Sequence, residues 1–430
     1  MAGLRVLTEK LQSILDQRRQ NGRLVEPGSP AVMRAMTDFG SNDTLSLSSS
    51  GVMTEAFLAE LNRHPGFKVG SAGSRVVDGS TQYLIDLENY AAKFHGAETA
   101  LFVNSGFDAN VAIWSTIPQP GDVVVYDEYI HASIHDGMRR GRAETKMFLH
   151  NDCVSLRRCL LDVKLQHPDI EQGKRVVFIS LESFYSMDGD AAPILEMIQL
   201  AKEVLPLGNA LFVIDEAHSN GLVGPQGSGF VCHYGLEKEF AIRLHTCGKG
   251  MGSAGAFILA NQTIKDTLLN YARNLIFSTA ATFPTLAAVK AGYSLVASEE
   301  GEMRRQRLQD NIRHFYKELT GHPMWSKYER SGILTIPSIK GSKAEPFQSP
   351  IVALVTRVGK GKSLGDKLKK AGYWVNVVYY PIVPIDKERA RLSLHADNTS
   401  EQIENVVKVI VKWAAEQYDC LLENSSTAKL

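Results

Sequence analysis

The sequence predicts an α/β protein with a large, mainly parallel sheet covered by helices on both faces, followed by a smaller α+β domain. Three observations predict it. Short apolar strands alternate with helical patterns from Thr99 to Leu259. Several of those strands end in polar residues, at the carboxyl ends where open α/β sheets bind ligands. After Phe283-Pro284 the pattern changes to a long helical stretch and shorter strands.

Composition sets the outer bounds. A chain of 430 residues, 44% hydrophobic and 22% charged, can build two domains around substantial cores. Formal net charge is +0, so no basic field recruits nucleic acid. Five scattered cysteines without a C-x-x-C pair support neither a disulfide framework nor a zinc site, and no metal is expected. They fit a reduced compartment. No apolar run approaches the ~20 residues of a membrane span.

The elements follow in order. Leu4, Leu7, Leu11 and Leu15 among Arg5, Lys10, Arg18 and Arg19 make the first twenty residues an amphipathic helix, without a signal-peptide core. A turn at Pro27-Gly28 and an extended piece ending in Ser41-Asn42-Asp43 complete an arm over residues 1–50. Residues 51–66 fit a helix with Phe57, Leu58 and Leu61 on its apolar side. Gly70-Ser71-Ala72-Gly73-Ser74-Arg75 and Gly79-Ser80-Thr81 form a glycine-rich loop that phosphate or substrate can approach, although a plain surface loop reads the same way. A helix follows from Gln82 to Phe94. Strand Thr99–Val103 runs into Asn104-Ser105-Gly106-Phe107 and a helix, a junction that presents free N–H groups and a positive dipole end to an anion.

Strand Val123–Tyr126 exits at His131-Ala132-Ser133, and strand Val176–Leu181 leads into Glu182-Ser183. After a helix over Ile194–Val204, strand Ala210–Ile214 delivers Asp215, with His218 three residues on. Thr246-Cys247-Gly248-Lys249 places a lysine in a segment too glycine-rich for a helix interior. The second half of the chain reads as one helix over Leu286–Leu319, strands over 351–355, 373–378 and 390–394, a helix over Ser400–Tyr418 and a disordered polar tail. The expected divisions are residues 1–50 (arm), 51–290 (large domain) and 291–430 (small domain with its linking helix and tail).

An acid at a strand end, an imidazole and a lysine on neighbouring loops suit pyridoxal 5'-phosphate (PLP). The acid pairs with the pyridinium nitrogen and the lysine binds the cofactor covalently. Two other readings exist. Asp215-Glu216-Ala217-His218 is also a helicase string, but that needs a Walker A loop. The near match Gly361-Lys362-Ser363 lacks the upstream glycine (Thr356 stands there) and lies after the acidic box. Taken alone, Asp215 and Lys249 could equally form a salt bridge.

Taken together, the motifs resemble those of the α-oxoamine synthases. The resemblance spans roughly residues 38–400. It rests on Gly70–Arg75, Asn104-Ser105-Gly106-Phe107, His131-Ala132-Ser133, Glu182-Ser183 with Ser186–Asp190, Asp215–His218, Thr246–Lys249, Ile276-Phe277-Ser278-Thr279 and Arg389–Ser393, in the family's order. It implies a fold type I PLP-dependent transferase with a seven-stranded sheet, acting as a homodimer with a shared active site. Lys249 matches the cofactor-bound lysine that also serves as the base at Cα. Asp215 matches the partner of the pyridine nitrogen, and His131 the residue stacked on the ring. His218 and Ser183 match partners of the phenolic oxygen. Ser105, Gly106, Phe107 and Thr246 match the phosphate site, completed by Ser278 or Thr279 of the neighbouring subunit. Arg391 matches the arginine that clamps the amino acid's carboxylate, and Asn42 a substrate-side asparagine. The sequence departs from its relatives at Thr44 (commonly Tyr), Leu84 (often His) and Ala72 (often Gly), all around the acyl and substrate side.

The implied reaction is a decarboxylative condensation of an amino acid with an acyl-CoA. The expected pair is L-alanine with pimeloyl-CoA, giving 8-amino-7-oxononanoate, CoA and CO₂ on the route to biotin. The alternatives are another amino ketone of a secondary pathway, or a non-catalytic family partner. The C-terminal Ala428-Lys429-Leu430 is close to a peroxisomal address, so the expected location is the peroxisome, reached through its import receptor, and otherwise the cytoplasm.

Overall fold

The computed structural model describes residues 2–21, 24, 28–338, 347–380, 382–384 and 386–427. The strands in chain order are β1 Thr37–Asp38, β2 Thr99–Val103, β3 Val123–Asp127, β4 Glu144–Phe148, β5 Val177–Glu182, β6 Ala210–Asp215, β7 Phe240–Thr246, β8 Ala256–Ala260, β9 Leu334–Thr335, β10 Ile351–Thr356, β11 Tyr373–Trp374, β12 Asn376–Val378 and β13 Arg389–Ser393.

Seven of them form one sheet in the order β2-β8-β7-β6-β5-β3-β4. Only β8 runs against its neighbours, pairing antiparallel with β2 and β7. The central strands are buried on both faces, which is why they read as unbroken apolar runs rather than alternating ones. Helices cover both faces. Helices Gly106–Thr116 and Ala132–Arg140 pack Ala109, Ile113, Trp114, Ile134 and Met138 on one. Helices Gln82–Phe94, Cys153–Gln166, Ile194–Val204 and Phe283–Val296 close the other around Leu87, Leu160, Met197 and Val289. The seven-stranded, mainly parallel sheet is the one the resemblance implied.

A second, four-stranded antiparallel sheet has the order β12-β13-β10-β9. The arm is built into the body. Strand β1 pairs in parallel with β11, Ser393 N–H donates to Phe39 O at 2.8 Å and Ala396 N–H to Thr44 O at 2.8 Å. Phe39, Leu45 and Leu47 lie in the core. This contact brings Asn42 to Arg391 of the second sheet.

Several expectations are corrected. The stretch Leu286–Leu319 is two helices, Phe283–Val296 and Glu299–Thr320. Ser298 caps the second, its Oγ accepting from Gly301 N–H at 3.3 Å. The 373–378 stretch is split because Tyr373-Trp374 join the arm while Asn376–Val378 join β13. Helix Val52–Asn62 buries Met53 and Glu60 rather than Leu58, because Glu60 accepts from Tyr83 OH at 2.8 Å. The tail expected to be disordered continues helix Ser400–Thr427, since no proline or glycine follows Tyr418 to stop it. Pro27 and the tripeptide Ala428-Lys429-Leu430 lie outside the described residues. Among the described residues no helix is long and apolar enough to cross a membrane.

Ser298→Ala removes the cap and leaves Gly301 N–H without it. Loss of a helix N-cap costs about 1 kcal/mol, so urea denaturation of the variant should show a lower midpoint at unchanged slope.

Candidate active site

The site forms where β6, β5 and β3 end. Strand β6 delivers Asp215 with its side chain buried. Oδ1 accepts from Ala217 N–H at 2.9 Å and Oδ2 from Asn110 Nδ2 at 2.8 Å. The same Asn110 amide donates to Ser133 Oγ at 3.0 Å, so three elements fix one carboxylate. The helices carrying Asn110 and Ser133 approach closely at Gly137, where a Cβ would meet Trp114 Cβ at 2.7 Å and Asn110 O at 2.8 Å. A larger residue there would push Asn110 off Asp215.

Glu182 stands beside Asp215 in the β5–β6 register. Burial pushes its carboxyl well above the usual range, and the neighbouring Asp215 pushes it further. Two adjacent carboxylates do not ionise together readily, and Glu182 is the one pushed toward its neutral form. Ser183 N–H donates to Asp215 O at 3.0 Å, and the Ser183 hydroxyl accepts from Ser219 Oγ at 2.9 Å.

Lys249 follows β7 in the loop before β8. Its Nζ lies 2.8 Å from His218 Nε2. Withdrawal from solvent lowers the Lys249 pKa; Asp215 and Glu182 oppose that, and Arg391 reinforces it. Burial, with Lys249 and Arg391 nearby, holds His218 well below its ordinary value and therefore neutral. The neutral ring accepts at Nε2 from the lysine, which leaves the proton on Nδ1.

His131 caps helix Ala132–Arg140. Its Nδ1 accepts from Ser133 N–H at 3.2 Å and lies 2.7 Å from Ser133 Oγ. Those two contacts hold the ring against the start of the helix, although the residue as a whole stays exposed. Ser105 caps helix Gly106–Thr116, its Oγ accepting from Asp108 N–H at 3.0 Å. The first-turn N–H groups of Gly106 and Phe107 have no acceptor inside the helix. A Cβ at Gly106 would lie 2.5 Å from Thr246 Cγ2. Strand β7 and the helix start are therefore in contact only because residue 106 is glycine.

From the small sheet, β13 brings Arg391. Nε donates to Ser186 O at 2.6 Å, Nη1 to Ser393 Oγ at 3.1 Å and Nη2 to Asn42 Oδ1 at 3.3 Å. Burial lowers this guanidinium to about 10, so it stays charged at neutral pH. The structure thus brings together Asp215, Lys249, His218, His131, Ser183, Thr246, Ser105, Gly106, Phe107, Arg391 and Asn42. Ser278 and Thr279 stand apart. Ser278 Oγ donates to Asn274 O at 2.7 Å, and Thr279 bridges to Ser74 in the glycine-rich loop. No hydrogen bond among the described residues joins them to Lys249, Asp215 or Thr246. That loop is strained at Ala72, which has φ +58° where glycine fits more easily.

These donors fit PLP on three counts. An amine with a lowered pKa stands near a fixed carboxylate, a helix N-terminus with free N–H groups lies beside Thr246, and one oxygen of the buried Glu182 finds no partner among the described residues. Asn110, Ser133, Ser219 and Glu182 were not picked from the sequence as site residues. Asn110 carried one usable signal, a polar side chain one turn after Gly106 set between the apolar Ala109 and Val111–Trp114.

Asn110→Ala should cost Asp215 a hydrogen bond to a charged group, worth roughly 1.5–3 kcal/mol. Cofactor titration should show a dissociation constant raised at least about tenfold, with far-UV circular dichroism unchanged.

Known proteins place this site in a family. The model of the aminotransferase class I and II family matches residues 34–410. The chain is 41% identical over 411 residues to the aminoacyl transferase sphA of Aspergillus fumigatus, covering 95% of this chain and 87% of that protein. It is also 41% identical over 401 residues to the 8-amino-7-oxononanoate synthase of Emericella nidulans, covering 92% and 93%. A solved structure of serine palmitoyltransferase from S. paucimobilis, with bound PLP, superposes with a TM-score of 0.74 at 26% identity, covering 89% of this chain and 88% of that one. The chain belongs to the aminotransferase class I and II family and, within it, to the α-oxoamine synthases, PLP-dependent acyltransferases.

Proposed function

We propose that this enzyme condenses L-alanine with pimeloyl-CoA, giving 8-amino-7-oxononanoate, CoA and CO₂ for biotin synthesis. The 41% identity to the Emericella nidulans synthase, over nearly the whole of both chains, carries this reading. A second reading has its own support. The equally similar sphA protein is named only as an aminoacyl transferase, which favours another amino acid and acyl donor making an amino ketone in a secondary pathway.

When bound, PLP supplies an electron sink for the charge left at the amino acid's Cα. The chain does the rest. Asp215 offers the anionic partner for the pyridine nitrogen, and Asn110 and Ala217 N–H hold it in place. Lys249, its pKa lowered by burial, takes the Cα proton and later returns one. Neutral His218 accepts from Lys249 Nζ and so keeps the amine pointed into the site. Arg391 holds the substrate carboxylate with its planar fork, steadied by Asn42. New carbon–carbon bond formation at the thioester carbonyl expels the CoA thiol, and the carboxylate then departs as CO₂.

Ser278 and Thr279 would complete the phosphate site of a second copy in a homodimer. Exposed Phe277 and Tyr271 beside them suit a covered surface. The C-terminal Ala428-Lys429-Leu430 supports delivery to peroxisomes, where acyl-CoAs arise by chain shortening.

Lys249→Ala should leave PLP without a covalent link to the chain, so that borohydride no longer fixes the cofactor to the protein, and reduce turnover at least ~10⁴-fold, the scale of losing a covalent and proton-transfer group together. A CoA-release assay of alanine, glycine and serine against several acyl-CoAs decides the substrate. Turnover of alanine with pimeloyl-CoA supports the first reading. Silence there, with turnover of another pair, supports the second.

A further inference from the structure

One partly buried cluster next to the site has no role in the chemistry above. His150 follows β4. Its Nδ1 lies 2.8 Å from Asp127 Oδ1, and its Nε2 lies 2.8 Å from Asp190 Oδ2. Both ring nitrogens face carboxylate oxygens, so both must donate, and only the imidazolium can do that. Tyr129 stacks on the ring at 4.2 Å, and the edge of Tyr185 closes on it at 4.5 Å. Neighbouring Asn151 adopts φ +53°, outside the usual region for a side-chain residue. In that conformation its N–H reaches Asp127 Oδ2 at 2.8 Å and its amide reaches Asp190 Oδ2 at 3.0 Å and Ala191 O at 3.2 Å.

Asp190 belongs to the strap 183–190, which leaves β5, touches β13 of the small sheet and leads back to helix Ile194–Val204 on the large one. Tyr185 N–H donates to Asp190 O at 3.0 Å and closes the strap on itself. Along it, Ser186 O takes Arg391 Nε at 2.6 Å, Met187 O takes Arg389 Nη1 at 3.1 Å, and Asp188 pairs with Arg389. Arg391 therefore rests on a backbone carbonyl four residues from Asp190.

We propose that His150 is a positioning residue: by bridging Asp127 to Asp190 it holds the strap on which Arg391 is seated, and so sets the affinity for the amino acid's carboxylate. This rests on the reading of Arg391 as the carboxylate-binding group. The charged and titratable groups facing the ring are Asp127 and Glu128 from the end of β3, Tyr129 beyond it, Tyr185, Asp188 and Asp190 from the strap, and Arg389 from β13. Carboxylates outnumber cations there, and the imidazolium offsets the excess. Burial pushes the ring's pKa down, but the hydrogen bonds and charges of Asp127 and Asp190 outweigh it and raise it to about 9. A raised folded-state value means that the clamp is whole below the ordinary histidine value of about 6.5 and is lost as pH rises through about 9. Ligand atoms of His150, Asp188 and Asp190 lie within 4.8 Å of one another. Arg389 and Asn151 already serve the two carboxylates, so the cluster is an ion-pair network.

The test is a spectral titration of the PLP-loaded protein with L-alanine, glycine and L-serine, from pH 7 to 10. It compares the wild type with His150→Gln, with Asp190→Asn (which keeps the strap's shape while removing one charge) and with Arg391→Ala. Both clamp variants should retain the cofactor's absorbance and bind the amino acid at least about tenfold more weakly at pH 7. The ratio of wild-type to variant affinity should shrink toward one between pH 8 and 10, because the wild type loses the same proton. Wild-type affinity in either clamp variant, or a ratio that stays flat with pH, overturns the proposal while leaving the functional reading intact if Arg391→Ala binds weakly. Unchanged affinity in Arg391→Ala, or failure of all three amino acids to perturb the wild type, contradicts the functional reading and the clamp with it.

Discussion

The structure depends on one carboxylate held still at the carboxyl end of a sheet's central strand. Asp215 is the last residue of a strand buried on both faces, and three elements fix its two oxygens. The backbone of its own turn supplies Ala217 N–H, helix Gly106–Thr116 supplies Asn110, and Ser133 orients Asn110 in turn. Each polar group taken from water must find a partner or lose the hydration it gave up. The partners here come from elements that only the full fold brings together. The large sheet can thus be seen as a device for placing one charge.

The electrostatics around that charge are arranged by difference. Glu182 sits beside Asp215 but is pushed toward its neutral form, while Lys249 and His218 are pushed toward theirs. The site therefore gathers many ionisable groups without gathering many charges. Arg391 stays charged in spite of its burial, and it enters from the small sheet. That sheet is tied to the site by the arm at Asn42 and by the strap at Ser186. Asp215, His218 and Lys249 come from one sheet and Arg391 from the other, with a short stretch of backbone joining them.

Much of this was legible in the sequence. Strand β6 announces itself by its apolar run, and what lies at its carboxyl end is positioned by topology, so Asp215 could be read directly. Lys249 and His218 sit on loops, where a reactive side chain stands out from its surroundings. Asn110, Ser133 and Ser219 did not stand out, because their importance comes from contacts between distant segments. Strand β4, Glu144–Phe148, was missed because an edge strand with an exposed face is polar. Val375 hides the split between two sheets because a buried valine is as much at home in one continuous strand. His150 was passed over for a related reason: two carboxylates separated from it by 23 and 40 positions give it its meaning.

In the chemistry proposed for this site, Asp215 keeps the pyridine nitrogen of PLP protonated. Loading the protein with PLP labelled at that nitrogen with ¹⁵N, and recording its chemical shift at pH 8, tests this directly. A shift in the protonated range for the wild type, moving to the neutral range in Asp215→Ala, is the predicted result. A neutral nitrogen in the wild type, or a shift indifferent to the substitution, would rule out that role for Asp215.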